Sequence, residues 1–374
     1  MECTNGCTRW QHVKNRVRNI FTQCEKSVDS ILLKNASPPF IDDNFFYVTG
    51  LEQGIFEGSA VVLHPDGAID LLVLELEAES ARKATAHLCI YKNKEDFSTM
   101  LKHLAAGEKT IGVNASGLSY HEYISLGELL PQAKFIDVSD AFMKARLIKD
   151  EPEIQCIKSA CSIVDAVMET IPDILYEGMY EYELAAEINY ALQNSGAEKP
   201  AFDTISSFRT NTAEPHYSHG DTKLKKNDFV LCDFGATFKK YNSDITRTFV
   251  FGKATEQQKE MYDTVLQAQQ IAFDAIKPGV KACDVHTAVR SFIDSTKFKD
   301  RFIHSTGHSL GLAVHDGIGF APDNTMALQE NMILTVEPGV YIPGFGGVRI
   351  EDDILIKKDK ITLLTRSPRE FTEL

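Results

Sequence analysis

Residues 229–252, FVLCDFGATFKKYNSDITRTFVFG, alternate apolar and β-branched positions as two strands joined by a turn would. Aspartate is disfavoured inside strands, yet Asp233 and Asp244 lie within the two apolar segments. The centre of the stretch, residues 238–240 (FKK), predicts the turn, and the midpoint between the two aspartates falls there. We therefore expect the aspartates to lie near-opposite each other across an antiparallel pair, with Cβ atoms about 5 Å apart.

A second predicted hairpin repeats this arrangement near the end of the chain. The segments ILTVEPGVYI and VRIEDDILI flank the glycine-rich turn PGFGG, and the midpoint between Glu337 and Glu351 falls at Gly344. These two glutamates should therefore also face each other, among Val, Ile and Leu side chains. Two pairs of inward carboxylates must either share protons or hold cations.

Three histidines lie between the two hairpins, in IHSTGHSLGLAVHDGIGF: His304, His308 and His315. Four carboxylates and one imidazole suit two divalent cations, because four negative charges offset two dications. Two-metal sites hold their ions about 3.5–4 Å apart, a spacing that a bridging carboxylate matches. A ligand set dominated by oxygen, without thiolate, favours Mn, Co, Fe or Zn in a reactive site over a structural zinc.

The chain of 374 residues is long enough for two domains, and its pattern changes near residue 148. Up to that point strand-like and helix-like segments alternate, which predicts an α/β layer with a mixed sheet. Asp150-Glu151-Pro152 then has the features of a helix start, and long hairpins follow. We predict an α/β domain at 1–148 and an α+β domain at 149–374.

The net charge of −14 argues against nucleic acid or an anionic membrane surface as the main partner. The sequence shows neither a signal-peptide pattern nor an apolar run of about 20 residues, so we expect a cytoplasmic protein without a membrane segment. The eight cysteines form no C-x-x-C pair and are interpreted as reduced thiols, although nothing decides the roles of Cys3 and Cys7. Six further histidines are interpreted as structural: His12, His64, His87, His103, His121 and His286.

Five of these residues, in order, resemble the metal-ligand signature of the proline-specific metallopeptidases. They are Asp233 in VLCDFGA, Asp244 in YNSDITR, His308 in STGHSLGL, Glu337 in TVEPGVY and Glu351 in VRIEDD. This family comprises the Xaa-Pro dipeptidases (prolidases) and Xaa-Pro aminopeptidases, relatives of methionine aminopeptidase and creatinase. NFFYVTGLEQG and RLIKDEPEI are similar to its N-terminal domain and linker. The resemblance implies a creatinase-like α/β domain followed by a pita-bread catalytic domain.

The resemblance also implies roles for further residues. His216 matches the family's loop histidine near the scissile carbonyl, and His304 and His315 match the two that flank the ligand histidine. Two divalent ions would activate a bridging water, and Glu337 would pass its proton to the leaving nitrogen. Arg349 and Arg247 are expected to pair with ligand carboxylates. The expected substrates are peptides with proline at the second position, and the family suggests a homodimer.

Two departures from the family pattern bear on the substrate. Ser309 stands where the family often has glycine, and HDGIG follows the histidine loop where prolidases carry a basic residue for the terminal carboxylate of a dipeptide. We therefore expect Xaa-Pro aminopeptidase activity on longer peptides, with strict dipeptidase activity as the alternative. A non-catalytic peptide-binding protein, a metal-free creatinase-like hydrolase and a methionine aminopeptidase explain the full ligand set and the N-terminal domain less well.

Overall fold

The computed structural model describes residues 5–374, with side chains described from residue 11 onward. It divides into two compact units at Arg146/Leu147. The helices are α1 Asn5–Gln23, α2 Asp43–Thr49, α3 Ala78–Ala81, α4 Lys94–Leu104, α5 Tyr120–Leu129, α6 Ser139–Leu147, α7 Glu151–Met168, α8 Ile171–Ile174, α9 Glu181–Asn194, α10 Glu256–Ala275 and α11 Ala282–Asp294. Short 3-10 turns cover Glu75–Glu77 and Arg209–Ala213.

The strands of the first unit are β1 Ser30–Lys34, β2 Ala60–Leu63, β3 Ile69–Leu74, β4 His87–Tyr91, β5 Thr110–Val113 and β6 Lys134–Asp137. Those of the second unit are β7 Lys199–Pro200, β8 Ile205–Phe208, β9 Asp228–Phe234, β10 Ala236–Phe238, β11 Tyr241–Asn242, β12 Ile245–Phe251, β13 Ile333–Val336, β14 Gly339–Ile342, β15 Gly346–Arg349, β16 Asp352–Ile356 and β17 Ile361–Leu363.

The first unit is built on one six-stranded sheet of order β4-β3-β2-β1-β5-β6. The pairs β1–β2 and β2–β3 are antiparallel, whereas β3–β4, β1–β5 and β5–β6 are parallel. The expected mixed sheet is therefore present. The turn between β2 and β3 depends on Gly67, whose φ of 88° lies in the left-handed region that glycine tolerates. It closes with the Gly67 N–H donating to the His64 carbonyl oxygen.

In the second unit, α7 begins where its sequence signals place it. Asp150 caps the helix by accepting from the Glu153 backbone N–H, and the Glu153 side chain accepts from the Asp150 N–H in return. This capping box satisfies two N–H groups that a helix start leaves without intrahelical partners. Helices α7 and α9 pack with strands β8, β9 and β12 around a core that includes Val164, Leu184 and Cys232.

The first acid-bearing hairpin differs from its predicted register. Its tip is the two-residue turn Lys239-Lys240, both with positive φ, which pairs Phe238 with Tyr241. The prediction centred the turn about one residue too early. Asp233 is therefore directly opposite Thr246, and Asp244 lies just before β12, two positions away along the ladder. The two aspartates share a face as diagonal neighbours rather than facing each other, so the expectation of a near-opposite pair is wrong.

The second acid-bearing hairpin has the predicted register. Strands β14 and β15 pair Ile342 with Gly346 around a tip at Gly344, and Val336 pairs with Asp352 where the ladder resumes. The same register brings Glu337 opposite Glu351, at the break between the two paired segments. A carboxylate pair therefore projects from one face of this ribbon.

Backbone contacts join the two hairpins and the histidine segment. The Glu351 N–H donates to the Thr246 carbonyl oxygen at 3.1 Å, which connects the hairpins edge to edge. The Thr335 N–H donates to the His308 carbonyl oxygen at 2.8 Å. A Cβ at Gly307 would lie 2.1 Å from the Thr335 carbonyl oxygen, so only glycine allows this segment so close to β13. The fold thus brings the three acid- and histidine-bearing segments into one place.

Six cysteines of the described chain are free thiols: Cys24, Cys89, Cys156, Cys161, Cys232 and Cys283. Cys3 lies outside the described residues, as does the side chain of Cys7. Within residues 5–374, the structure contains no helix with the length and apolar character needed to cross a bilayer.

Candidate metal centre

A cavity of about 530 Å³ in the second unit is lined by every residue predicted for the site. The lining includes Asp233, Asp244, Glu337, Glu351, His216, His304, His308 and His315. The two hairpins contribute the four carboxylates to one wall of the cavity, and the loop segments contribute the four imidazoles. The pattern read from the sequence therefore corresponds to one contiguous group of side chains.

His308 is the imidazole closest to the carboxylates. Its Nε2 atom lies 3.6 Å from Asp244 Oδ2 and 3.6 Å from Glu337 Oε1. Ligand atoms of Asp244, His308 and Glu351 all lie within 4.8 Å of one another. Separations of this size are too long for direct hydrogen bonds and suit groups that share a cation between them.

Burial and mutual repulsion make these carboxylates costly to ionise together. Burial, and then the charges of Glu351 and Asp233, raise the pKa of Asp244 well above its usual range. Burial and the neighbouring Glu337 do the same to the pKa of Glu351. The pKa of Glu337 rises to about 8, mainly through burial, although Arg349 opposes the shift. A divalent cation removes this penalty because it supplies the charge that the carboxylates lack.

The histidine beside them has the opposite shift. Burial, and then the nearby His315 ring, lower the pKa of His308 to about 4. Its imidazole is therefore neutral at physiological pH, the state in which a histidine nitrogen can bind a metal. The two rings lie close, with centroids 4.1 Å apart.

Three of the predicted ligands each have one buried carboxylate oxygen without a hydrogen-bond partner: Asp233 Oδ1, Asp244 Oδ1 and Glu351 Oε1; the neighbouring Asp353 Oδ1 is a fourth such oxygen. Buried polar atoms are almost always satisfied, so three orphaned oxygens on one wall indicate a missing partner. The second carboxylate oxygen of Asp233 binds Arg349, that of Glu351 binds Thr246, and that of Asp244 lies 3.6 Å from His308 Nε2. The three unpartnered oxygens are therefore available to bind a cation. The side chains that line this cavity are therefore suited to bind divalent metal ions.

Arg349 and Thr246 hold two of the carboxylates in place. Arg349 Nη2 donates to Asp233 Oδ2, and Arg349 Nε donates to Thr246 Oγ1 at 3.1 Å. The Thr246 hydroxyl in turn donates to Glu351 Oε2 at 2.6 Å. One guanidinium and one hydroxyl thus fix carboxylates from both hairpins, and the predicted pairing of Arg349 with a site carboxylate is present.

Tyr341 is a site residue that the sequence reasoning missed. Its hydroxyl accepts from Arg349 Nη1 at 2.9 Å and lies 2.8 Å from His304 Nε2. A Cβ at Gly339 would lie 2.3 Å from this hydroxyl, so the glycine leaves room for the tyrosine to cross the strand. Tyr341 lies an even number of residues from Glu337 on the same hairpin, and this shared face is the signal that would have found it.

Asp353 also supports the site, although it is not among the residues that line the cavity. Its Oδ2 accepts from the Asp244 backbone N–H at 2.9 Å and from the Cys161 thiol at 3.3 Å. This contact fixes the backbone that carries Asp244. Arg247 pairs with the carboxylate of Asp352, and it reaches the predicted ligand Glu351 only at its backbone carbonyl oxygen.

The remaining predicted histidines occupy different positions around the cavity. His216 and His315 line the cavity and are exposed, whereas His304 has both ring nitrogens near partners: Ser305 O and Tyr341 Oη, each at 2.8 Å. His219 contacts the Thr204 carbonyl oxygen instead of lining the cavity. Asp316, which follows His315, is buried with its Oδ2 3.5 Å from Lys149 Nζ.

Known proteins match both units of the chain. Residues 16–148 match the Creatinase/Prolidase N-terminal domain and residues 155–358 match Metallopeptidase family M24. An Xaa-Pro dipeptidase of Pyrococcus horikoshii is 37% identical over 96% of this chain and 99% of its own length.

Solved structures show the same likeness. An Xaa-Pro dipeptidase from Bacillus anthracis has a TM-score of 0.88 at 32% identity, covering 98% of this chain and 100% of that one. An X-Pro aminopeptidase from Thermotoga maritima has a TM-score of 0.86 at 31% identity, covering 92% and 97%. The fold is therefore a creatinase-type N-terminal domain followed by a pita-bread domain, as the motifs implied. With its motif order, its carboxylate-lined cavity and these matches, the chain belongs to Metallopeptidase family M24 and is a metal-dependent peptidase.

Proposed function

We propose that this protein is an Xaa-Pro dipeptidase, which hydrolyses the bond before proline in dipeptides. The support comes from the relatives: full-length similarity joins the chain to proteins named Xaa-Pro dipeptidase from two Pyrococcus species, at 37% identity in both cases. The cavity supports the chemistry, because it gathers the acid and imidazole groups of a metal-dependent hydrolase in one place. The aminopeptidase activity expected from the sequence becomes the second candidate.

The metal ligands in this proposal are Asp233, Asp244, His308, Glu337 and Glu351. The observation that carries the assignment is the group of unpartnered buried oxygens on Asp233, Asp244 and Glu351. Asp244, His308 and Glu351 already have ligand atoms close enough to share one ion. The second ion of the pair expected from the sequence would use the remaining carboxylates.

Bound divalent ions would polarise the scissile carbonyl and lower the pKa of a water to give the nucleophile. The protein's own groups would do the rest. Glu337, partly open to the cavity, can take the water's proton at a carboxylate oxygen and deliver it to the leaving nitrogen. His216 and His315 line the same cavity, where an imidazole N–H could donate to the developing oxyanion.

His304 is better placed to position other groups than to contact substrate. Burial, and then the charge of Arg349, lower its pKa to about 3, so the ring is neutral. Its two nitrogens lie beside Ser305 O and Tyr341 Oη, which leaves no free ring nitrogen for the peptide. In this proposal His304 fixes Tyr341, which fixes Arg349, which fixes Asp233.

One observation favours the second candidate, an Xaa-Pro aminopeptidase. A dipeptide carries its carboxylate one residue beyond the scissile bond, and a dipeptidase needs a cation to hold it. Among the described cavity residues, Arg349 is the only permanently charged cation, and it already binds Asp233 and Tyr341. Asp316, in the loop after His315, contributes no positive charge there.

Substrate length decides between these candidates. Purified protein loaded with Mn or Co would be assayed on Ala-Pro, on Ala-Pro-Ala, and on Ala-Ala as the control for proline. A higher kcat/KM on Ala-Pro supports the dipeptidase, and a higher value on the tripeptide supports the aminopeptidase. Failure of fully metallated protein to cleave either proline substrate would refute the peptidase proposal. A homodimer and the choice among Mn, Co, Zn and Fe stay predictions.

A further inference from the structure

A second group of potential metal ligands lies in the first unit, at the edge of the six-stranded sheet. Within the described residues, two groups bring three or more His, Cys, Asp or Glu ligand atoms within 4.8 Å of one another. One is the candidate metal centre, and the other is Asp70, His87 and Cys89. From the sequence alone, His87 is expected to be structural and Cys89 to be a reduced thiol.

The register explains why these three side chains meet. Strands β3 and β4 are parallel, with Asp70 paired to His87 and Leu72 paired to Cys89. Residues two apart on a strand share a face, so His87 and Cys89 project beside Asp70. Strand β4 is the outermost strand of the sheet, so the group lies at an open edge.

The distances suit one cation. His87 Nδ1 lies 2.7 Å from Asp70 Oδ1 and 3.8 Å from Cys89 Sγ. Nitrogen and sulfur ligands of one tetrahedral zinc are about 3.5 Å apart, given bonds of about 2.0–2.1 and 2.3 Å. The shorter contact to Asp70 is a hydrogen bond that a cation would lengthen by about 0.7 Å, because nitrogen and oxygen ligands of one tetrahedral zinc are about 3.4 Å apart. The His87 side chain is 73% exposed and can make that adjustment.

A fourth residue orients the carboxylate. His64 Nε2 lies 2.8 Å from Asp70 Oδ2, the oxygen that His87 does not contact. Both carboxylate oxygens of Asp70 are thus hydrogen-bonded, and its side chain is only 16% exposed, whereas a surface aspartate usually remains free to rotate. Ligating carboxylates commonly have such a partner on the oxygen that does not bind the metal.

We propose that Asp70, His87 and Cys89 form a second metal site that takes a zinc-type divalent cation, with His64 as the positioning residue. A thiolate, an imidazole and a carboxylate are a ligand set for Zn²⁺ rather than for Mg²⁺ or Ca²⁺. On binding, the Cys89 thiol loses its proton to solvent and neutral His87 carries its proton on Nε2, so that Sγ and Nδ1 can both coordinate. The fourth position is open to water through the exposed side of His87.

Cobalt distinguishes this site from the catalytic one. The proposed catalytic ligands are oxygen and nitrogen atoms, so the catalytic site gives no thiolate-to-Co²⁺ charge-transfer absorption in the near ultraviolet, whereas a site that includes Cys89 does. We expect that absorption in the full-length protein, its loss in Cys89→Ser and His87→Ala, and one fewer Zn²⁺ per chain in both variants. Peptidase activity should remain unchanged in both.

Cys283→Ser is the matched control, because Cys283 is also a partly buried thiol beside a carboxylate, with its Sγ 3.7 Å from Asp284 Oδ1. It should keep the absorption and the zinc content of the wild type. His64→Ala should weaken Zn²⁺ binding by about 10–100-fold without removing the absorption. Equal zinc content and equal cobalt spectra in the wild type and Cys89→Ser would overturn the proposal. Unchanged affinity in His64→Ala would overturn the role of His64.

Discussion

The Thr246 hydroxyl gives the sharpest test of how the carboxylates are held. It accepts from Arg349 Nε at 3.1 Å and donates to Glu351 Oε2 at 2.6 Å, and it is fully buried. Thr246→Val keeps the size of the side chain and removes both bonds. It would leave a buried guanidinium N–H and a buried carboxylate oxygen without their partner, so that Glu351 could rotate away from the cavity.

The magnitude follows from the charges involved. A hydrogen bond to a charged group contributes about 1.5–3 kcal/mol, and 1.4 kcal/mol corresponds to a factor of ten. Losing the bond that orients Glu351 should therefore weaken metal binding by about 10–100-fold, the usual range for a residue that orients a ligand. Activity at limiting metal should fall by a similar factor, and excess metal should restore much of it.

Thr248→Val is the matched control for this experiment. Thr248 lies two residues along the same strand, is equally buried, and bonds the same arginine, but through the backbone: its hydroxyl donates to Arg349 O at 2.9 Å. Both variants should lose about 1–3 kcal/mol of unfolding free energy in urea titrations. Only Thr246→Val should lose metal affinity, measured by competition with a chromophoric chelator. Equal metal affinities in the two variants would refute the reasoning.

Three further predictions concern the same site. Asp244→Asn and Glu337→Gln should each lose peptidase activity and bound metal, the latter measured by elemental analysis. Their circular dichroism should stay that of the wild type. Retained activity in both variants would exclude these residues from the active site. Metal-free protein should lose stability from about pH 4.5 to about pH 8, because the unfolded chain ionises Glu337 at the lower value whereas burial raises its pKa in the folded chain to about 8. Urea midpoints should show that slope flattened in Glu337→Gln, and an equal slope in the variant would contradict it. Gly339→Ala should place a methyl group where the Tyr341 hydroxyl lies and reduce kcat at saturating metal, whereas Gly344→Ala, at the exposed hairpin tip, should leave kcat unchanged.

The sequence predicted the chemistry of the site better than its exact geometry. The second hairpin was placed correctly because Gly344 is a strong turn signal at its midpoint. The first was misplaced because Lys239 and Lys240 form a two-residue turn in which both have positive φ. An Asn-Gly pair is the usual sequence signal for such a turn, and two lysines give no such signal. A small error in the centre of a turn moves the opposing residues by two positions.

Residues outside the five-ligand pattern and the histidine segment escaped the sequence reasoning for a different reason. Thr246 and Tyr341 look like ordinary strand residues, and their importance comes only from the side chains that they contact, Glu351 and His304 respectively. Asp353 stands in an acidic run beside Glu351, and its role comes from a fully buried contact with the Asp244 backbone. Such contacts depend on three-dimensional register, which one sequence specifies only indirectly.

The crowding of four carboxylates on one wall has a consequence for how the enzyme matures in the cell. A newly made chain that closes its two β-ribbons without cations must either take up protons there or bear the repulsion, so the metal-free form is a less stable precursor. Each ion captured then adds its binding free energy to that of the finished fold. Metal supply during synthesis would therefore set how much protein survives quality control, as well as how fast each surviving molecule turns over.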